Sequence, residues 1–118
     1  MTNIVKVTPE MVENEIISEH YFTASEGIMG ACAYNNYLLH TDDTAILEEA
    51  VTKKEESSVY LEILTICVLE LKNGFTFVGV SSPIDPRAFN KELGRKYARE
   101  DAVSKIYPFL GYRLLDQA

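Results

Sequence analysis

The chain has 118 residues, of which 47% are hydrophobic, and these values predict one folded domain spanning residues 1–118 rather than a disordered chain. Its formal net charge of −7 disfavours general binding of duplex nucleic acid, because uncompensated negative charge repels phosphate. No hydrophobic run approaches the roughly 18 residues of a membrane span, and the amino terminus carries no signal-peptide pattern, so we expect a cytoplasmic protein.

The first predicted element is an N-terminal helix over about residues 9–22. Thr8 is a suitable cap, and Pro9 suits the first helical position. Val12, Ile16 and His20 recur at four-residue spacing and therefore share one face of this helix. On that face His20 is interpreted as a packing residue rather than as a functional group.

One or two middle helices are predicted next. The segment TASEGIMGACAYNNYLL begins after Thr23 or Ser25, and its small residues would let another backbone come close. A second helix starts at Asp43 or Thr44. The polar residues 52–58 that follow are expected to form a flexible loop.

Metal ligands and reactive cysteines are not indicated by this sequence. His40, Asp42 and Asp43 could be interpreted as metal ligands, but helix capping explains the aspartates better and nothing nominates further ligands. Cys32 and Cys67 are far apart and are interpreted as buried, reduced thiols. We therefore expect no metal and no cofactor.

A β-hairpin over about residues 59–80 is the strongest signal. Two β-rich runs flank Asn73-Gly74, which favours a two-residue type I′ turn. With that turn Leu69 would face Val78, and both faces of the hairpin would be largely apolar. Helices, further strands or a second subunit must then cover it, and we expect both helix packing and a homodimer.

A long C-terminal helix is predicted over about residues 86–107, with Asp85 as its cap and Pro108 as its end, followed by an extended or packed tail. Its apolar residues form two stripes, Phe89, Leu93 and Tyr97 in one and Gly94, Ala98, Ala102 and Ile106 in the other. Two apolar stripes on one helix predict that it packs against two neighbouring elements. The whole is a small α+β domain, in which the hairpin is packed by the N-terminal helix, the middle helices and this helix.

Charge divides the chain into two unlike parts. Residues 1–85 hold four basic and 14 acidic side chains, whereas residues 86–118 hold seven basic and four acidic ones. A local anion site at the basic end therefore remains possible despite the negative total.

The candidate ligand-binding residues belong to that basic end. Arg95, Arg99 and Arg113 could donate forked hydrogen bonds to phosphate, while Tyr97 or Tyr112 stacks on a base. The competing interpretation is that these cations only solvate the helix and pair with its own acids.

The hairpin and the last helix also carry a family resemblance. The segments LTICVLELKNGFTFVG and SSPIDPRAFNKELGRKYAREDAVSKIYPFLGYRL, and more loosely EHYFTASEG, resemble the gene-49/gene-66 family of tailed-phage accessory proteins. The family pattern is a strand ending in NGF, a second strand, a loop and a helix of the type IGRKxAxxxAxxKIWxLxGYxL. The match is close from Leu64 to Leu114, although Tyr107 stands where the family often has tryptophan. The resemblance implies a phage or prophage origin and assigns no catalytic or binding residue.

Two functional hypotheses follow, neither of them enzymatic, because no catalytic triad or nucleotide-binding glycine loop is present. In the first, a counter-defence or host-takeover protein stoichiometrically occupies either a host protein or a small anionic, nucleotide-like signal. The acidic two thirds of the chain could dock on a basic host surface. In the second, a nucleic-acid accessory protein contacts single strands through the basic C-terminal helix.

Overall fold

The computed structural model describes residues 6–39, 43–56 and 58–117, and within these ranges it contains five α-helices and a three-stranded antiparallel sheet. In chain order the elements are α1 (Pro9–Glu15), β1 (Ile16–Thr23), α2 (Ala24–Leu39), α3 (Asp43–Glu56), α4 (Val59–Glu62), β2 (Thr65–Leu71), β3 (Thr76–Ser81), a 3-10 turn (Pro86–Ala88) and α5 (Lys91–Gln117). The sheet order is β1-β2-β3. The predicted α+β class is confirmed.

Strand β1 replaces the second half of the predicted N-terminal helix. Helix α1 begins as expected, since the Thr8 hydroxyl accepts a hydrogen bond from the Met11 amide and Pro9 holds the first position. It ends at Glu15, however, and the next eight residues form β1, of which all but Ile17 pair with β2. The prediction of a helix as far as residue 22 is therefore wrong, because pairing with a distant strand outweighs a local helical pattern.

The turn between β2 and β3 is one residue longer than predicted. The Leu71 amide donates to the Phe75 carbonyl at 2.9 Å, and the Gly74 amide donates to the Leu71 carbonyl at 2.9 Å. Gly74 has a φ of 89°. This is a three-residue loop whose last residue is left-handed, and not the two-residue type I′ turn.

The longer turn shifts the register and exchanges the two faces of β3. Leu69 pairs with Phe77 rather than with Val78 as predicted. Because side chains alternate along a strand, Phe77 and Gly79 face α5, whereas Val78 and Val80 lie on the open face of the sheet.

Replacing Gly74 by alanine should lower the free energy of unfolding by about 1 kcal/mol, because alanine disfavours a positive φ. An added Cβ would meet no atom within 4 Å, so the cost is conformational alone. Urea denaturation measures it, and Gly74→Asn should lose less because asparagine tolerates this conformation. If Gly74→Ala were as stable as the wild-type protein, the turn would have another geometry in solution.

Helix α5 covers one face of the sheet with the small-residue stripe that the sequence predicts. Gly94, Ala98, Ala102 and Ile106 are all buried. They lie over the inward side chains of β2. The buried side chains form one hydrophobic core cluster, which comprises Val12, Cys67, Leu69, Leu71, Ala98, Ala102, Ile106 and Leu110. The other predicted stripe is only partly covered, since Leu93 and Tyr97 are exposed.

Helix α5 continues through Pro108 to Gln117, so the predicted helix end near Tyr107 and the predicted tail are wrong. Beyond the proline, Leu110 is buried in the core, and the Phe109 ring lies 4.8 Å from that of Phe75. A proline inside a helix costs about 3 kcal/mol. Packing of the residues that follow it compensates for that cost.

Helices α2 and α3 pack against each other and extend the molecule. Thr23 and Glu26 form a reciprocal cap at the start of α2. Helix α3 reaches Glu56, so the segment predicted as a loop is helical up to that residue, and Ser57 lies outside the described residues. The radius of gyration is 18.6 Å, against about 13 Å for a compact domain of this length.

The outer edge of β3 is closed by two side chains of α5. The Val80 amide donates to an Asp101 carboxylate oxygen at 2.9 Å, and the Val78 carbonyl accepts from Lys105 Nζ. Edge strands that keep such charged partners are poor templates for another strand. None of the helices in residues 6–39, 43–56 and 58–117 is long and apolar enough to cross a membrane.

Candidate functional site

Helix α5 distributes the five predicted site residues along its length. Arg95 and Arg99 are one turn apart, with Tyr97 between them in sequence. Arg113 follows Arg99 by 14 residues, which is about 21 Å along a helix. Tyr112 follows Tyr97 by 15 residues. Within one chain, Arg95 and Arg99 therefore lie together on the β1 side of α5, Tyr97 projects from the other side beside Ser81 and Ser82, and the other two lie at the far end.

Arg99 is held by two carboxylates from the amino-terminal part of the chain. Its Nη2 donates to Glu13 at 2.6 Å, and its Nε donates to Glu19 at 2.7 Å. The hydrogen bond from Arg99 holds the pKa of the Glu19 carboxyl below its ordinary value. The hydrogen bond to Glu13 in turn raises the pKa of Arg99. This guanidinium joins α5 to both α1 and β1.

Arg113 makes a similar contact at the other end of α5. Its Nη2 donates to a Glu15 carboxylate oxygen at 3.1 Å. Three ion pairs thus connect the acidic amino-terminal part to the basic carboxy-terminal part inside one chain. Arg99 and Arg113 contribute to holding the fold together, and whether either also binds a ligand stays a prediction.

Arg95 and Lys91 differ from these two arginines. Among the residues that the structure describes, neither forms an ion pair with a carboxylate. The Arg95 guanidinium lies over the Tyr21 ring, 5.6 Å from its centre. Both side chains line a small gap beside Phe89, and Lys91 also lines a larger cleft there. Both cations are therefore available to an anion beside Phe89.

Phe89 stands between two clefts at the amino-terminal end of α5. One cleft has a volume of about 330 Å³ and is lined by Thr23, Ser25, Glu26, Glu62, Phe89 and Lys91. The other has a volume of about 190 Å³, and its polar and aromatic lining includes Ser81, Ser82, Phe89, Asn90 and Tyr97. We call this arrangement, with Arg95, the Phe89 site.

Local sequence fixes the position of Phe89. Asp85 caps the 3-10 turn by accepting the Arg87 amide at 3.0 Å, and Phe89 follows that turn directly. Asn90 then caps α5, because its side-chain oxygen accepts the amides of Glu92 and Leu93 at 3.0 and 3.1 Å. Phe89 is therefore held between two capped segments.

The Phe89 site combines groups of opposite charge. Lys91 and Arg95 can donate to an anionic group. Glu26 and Glu62 line the same side of Phe89 and can accept hydrogen bonds from hydroxyl or amino groups. The half-buried Phe89 ring offers a face for a planar group. An anion that also carries donors and an aromatic ring suits this set better than a simple phosphate does.

Sequence reasoning found part of this site and missed the rest. Arg95 and Tyr97 were candidates from charge and aromatic content, and both line it. Phe89 was interpreted only as a packing residue, and Lys91 was not singled out. The sequence feature that indicates Phe89 is its position between two successive capping residues, Asp85 and Asn90.

Other candidate groups are accounted for structurally. Cys67 is fully buried, as predicted, and burial raises the pKa of its thiol. Cys32 is only half-buried. His40 and Asp42 lie outside the described residues. Within the described ranges, no group of three or more His, Cys, Asp or Glu side chains is placed to hold a metal ion.

Comparisons with known proteins give one match. A family model described as "Phage protein (N4 Gp49/phage Sf6 gene 66) family" matches residues 7–118. No curated protein and no solved structure matches significantly. The match covers the sheet, α5 and every residue of the Phe89 site.

Proposed function

The chain belongs to the Phage protein (N4 Gp49/phage Sf6 gene 66) family, and from that premise we propose that it is a non-enzymatic accessory protein that sequesters a small anionic, nucleotide-like molecule of the host. Removal of a host signal would serve counter-defence or host takeover. Binding is stoichiometric, so the protein acts by abundance and affinity rather than by turnover.

The observation that supports this proposal is the position of Phe89 between two clefts, with Lys91 and Arg95 beside it. The larger cleft, at about 330 Å³, falls at the lower end of the range for small-molecule sites. Lys91 lines this cleft and Arg95 lines the small gap beside Phe89; neither forms an ion pair within the described residues, so an incoming anion would displace no internal carboxylate. Arg99 and Arg113 differ in this respect, because an anion could bind them only by displacing their carboxylate partners.

A nucleotide offers the chemistry that the Phe89 site can recognise. Its phosphate would accept from Lys91 and Arg95, and its base would stack on Phe89 or Tyr97. Hydroxyl and amino groups of the ribose and base would donate to Glu26 or Glu62. Inorganic phosphate lacks these donors and would meet the two carboxylates with like charge.

The test is to purify the protein from infected cells without denaturation and to identify released small molecules by mass spectrometry. Isothermal titration of the emptied protein with AMP, with ADP and with each identified molecule then gives affinities. Arg95→Gln should weaken binding about tenfold or more through loss of a charged hydrogen bond. Lys96→Gln is the matched control, because Lys96 is exposed on the same helix but lines neither the clefts nor the gap beside Phe89 that Arg95 lines.

Two results would contradict the proposal. One is that no nucleotide-like molecule copurifies and neither AMP nor ADP binds. The other is that Arg95→Gln and Lys96→Gln weaken binding equally, because general charge rather than the Phe89 site would then explain affinity.

The nucleic-acid hypothesis stays a prediction, and a different measurement checks it. Two of the arginines of α5 form ion pairs with carboxylates, which lowers the positive charge available to a phosphate backbone. Titration with single-stranded oligonucleotides at two salt concentrations should show no salt-dependent binding. Strong binding that weakens with salt would favour the nucleic-acid role instead.

A further inference from the structure

Helix α2 presents an uncharged surface opposite its half-buried face. Met29, Cys32, Ala33 and Asn36 lie on one side of the helix and are half-buried. The opposite side carries Gly30, Ala31, Tyr34 and Tyr37, all exposed. Both tyrosines are 65% exposed, and no charged residue occurs between Gly27 and Leu39.

This surface continues onto the open face of the sheet. Phe22 of β1 pairs with Ile66 of β2, which pairs with Val80 of β3, so the three side chains form a row across the sheet. At the end of that row the Phe22 ring lies against Gly27 of α2, where an added Cβ would be 3.2 Å from it. Gly27 lies one turn before the exposed side of α2.

We call the combined surface the α2–sheet surface. It comprises the row Phe22, Ile66 and Val80, the neighbouring Val68 and Val78, and the exposed side of α2 with Gly30, Ala31, Tyr34 and Tyr37. Tyr34 and Tyr37 alone expose roughly 250 Å². A stable interface needs about 800 Å² from each partner, so the tyrosines supply about a third of that area.

Charge indicates which partner fits this surface. The chain has a net charge of −7, so two copies repel each other over most approaches. The residues named in the α2–sheet surface carry no formal charge, so two copies can meet there with less like-charge contact than elsewhere, although His20, which pairs with Val68, and Glu70 lie beside it on the same open face. A basic host surface would find no carboxylate among the named residues to complement it. A two-fold axis would place the same apolar patch on both sides of the contact.

We propose that the α2–sheet surface is where a second copy of this chain binds, giving a two-fold dimer with α2 at its centre. The elongated shape, with principal extents of 66 × 36 × 16 Å, is compatible with this proposal, because α2 packs mainly against α3 and only slightly against the sheet within one chain. Small residues at Gly30 and Ala31 would allow the two α2 helices to approach closely. The inference is independent of the proposed nucleotide.

Sedimentation equilibrium of the full chain, over roughly 1 to 100 µM, tests the proposal. The wild-type protein should be a dimer, and Gly30→Lys should raise the dimer dissociation constant about 100-fold or more, because it buries an unpaired charge. Within the chain an added Cβ at Gly30 meets no atom within 4 Å. Lysine also favours a helix more than glycine does, so the monomer should fold normally, and its circular dichroism checks this.

A second variant and a control complete the experiment. Tyr34→Ser with Tyr37→Ser should also give monomers. Tyr112→Ser should leave the dimer intact, because Tyr112 is 74% exposed but lies on α5, outside the surface. A monomeric wild-type protein overturns the proposal, and so does a wild-type dimer whose dissociation constant is unchanged in Gly30→Lys and in the double tyrosine variant.

Discussion

Replacing Gly79 by alanine is expected to lower the free energy of unfolding by about 3 kcal/mol or more, because among the six glycines this one leaves the least room for a Cβ. A Cβ at this position would overlap the carbonyl oxygen of Ala98 and the amide nitrogen of Ala102. Both are backbone atoms of α5, so no side-chain rotation can relieve the overlap. The helix would have to move away from the sheet.

The matched control is Gly111→Ala, an identical chemical change in α5 itself. There an added Cβ would have only the Val7 side chain within 4 Å, at 3.9 Å. Since alanine favours a helix over glycine, this variant should be unchanged or more stable by about 0.5–1 kcal/mol. Urea denaturation of both variants measures the difference. Equal stabilities would show that α5 does not rest on Gly79 in solution.

Replacing Arg99 by methionine is the second large change, with an expected loss of about 2 kcal/mol at pH 7. The side chain is only 27% exposed, and its two charged hydrogen bonds connect α5 to Glu13 and Glu19. Methionine keeps much of the apolar stem but leaves two carboxylates without their partner. Arg87→Met is the control, because the pair of Arg87 with Asp85 is open to solvent and joins residues two apart. Arg87→Met should therefore leave the free energy of unfolding unchanged within experimental error.

The loss in Arg99→Met should depend on pH in a defined direction. Arg99 lowers the pKa of Glu19 below its ordinary value of 4.5. This pair therefore contributes its full stabilisation above pH 4.5, where the Glu19 carboxyl is ionised in the unfolded chain as well as in the folded one. The contribution is lost as the pH falls through the lowered pKa of Glu19 in the folded chain. The difference between wild type and variant should shrink below pH 4.5. A difference that stays constant down to pH 3 would exclude Glu19 as a partner of Arg99.

The elements that the sequence predicted well are those with local causes. Thr8 and Pro9 mark the start of α1, because a cap needs only its neighbours in the chain. The stripe from Gly94 to Ile106 was readable from helical periodicity, and all four of its residues are buried. Each of these features depends only on residues that are close to one another in the chain.

The elements that it predicted wrongly depend on distant partners. Residues 16–22 fit a helical pattern, and only pairing with residues some 50 positions later makes them a strand. The hairpin register depends on whether Gly74 ends a two-residue or a three-residue loop, which Asn-Gly alone does not decide. Likewise, Pro108 reads as a helix end until the burial of Leu110 beyond it is known.

The same distinction applies to the candidate site. Arg95 and Tyr97 could be selected from composition, whereas the engagement of Arg99 depends on carboxylates more than 75 residues away in the chain. Which cations are free is therefore a property of the fold. Lys91 and Phe89 emerge only when α5 is placed beside β1 and α2.

The position of α5 in the chain determines the order in which this protein can fold. Strands β1, β2 and β3 are synthesised first, but the face they bury is covered by residues that extend to Leu110. The contact from Arg99 to Glu13 closes a separation of 86 residues. Until Leu110 has left the ribosome, a growing chain carries an apolar sheet with nothing to cover it. Such incompletely covered chains expose apolar surface, and this surface favours aggregation until α5 is complete.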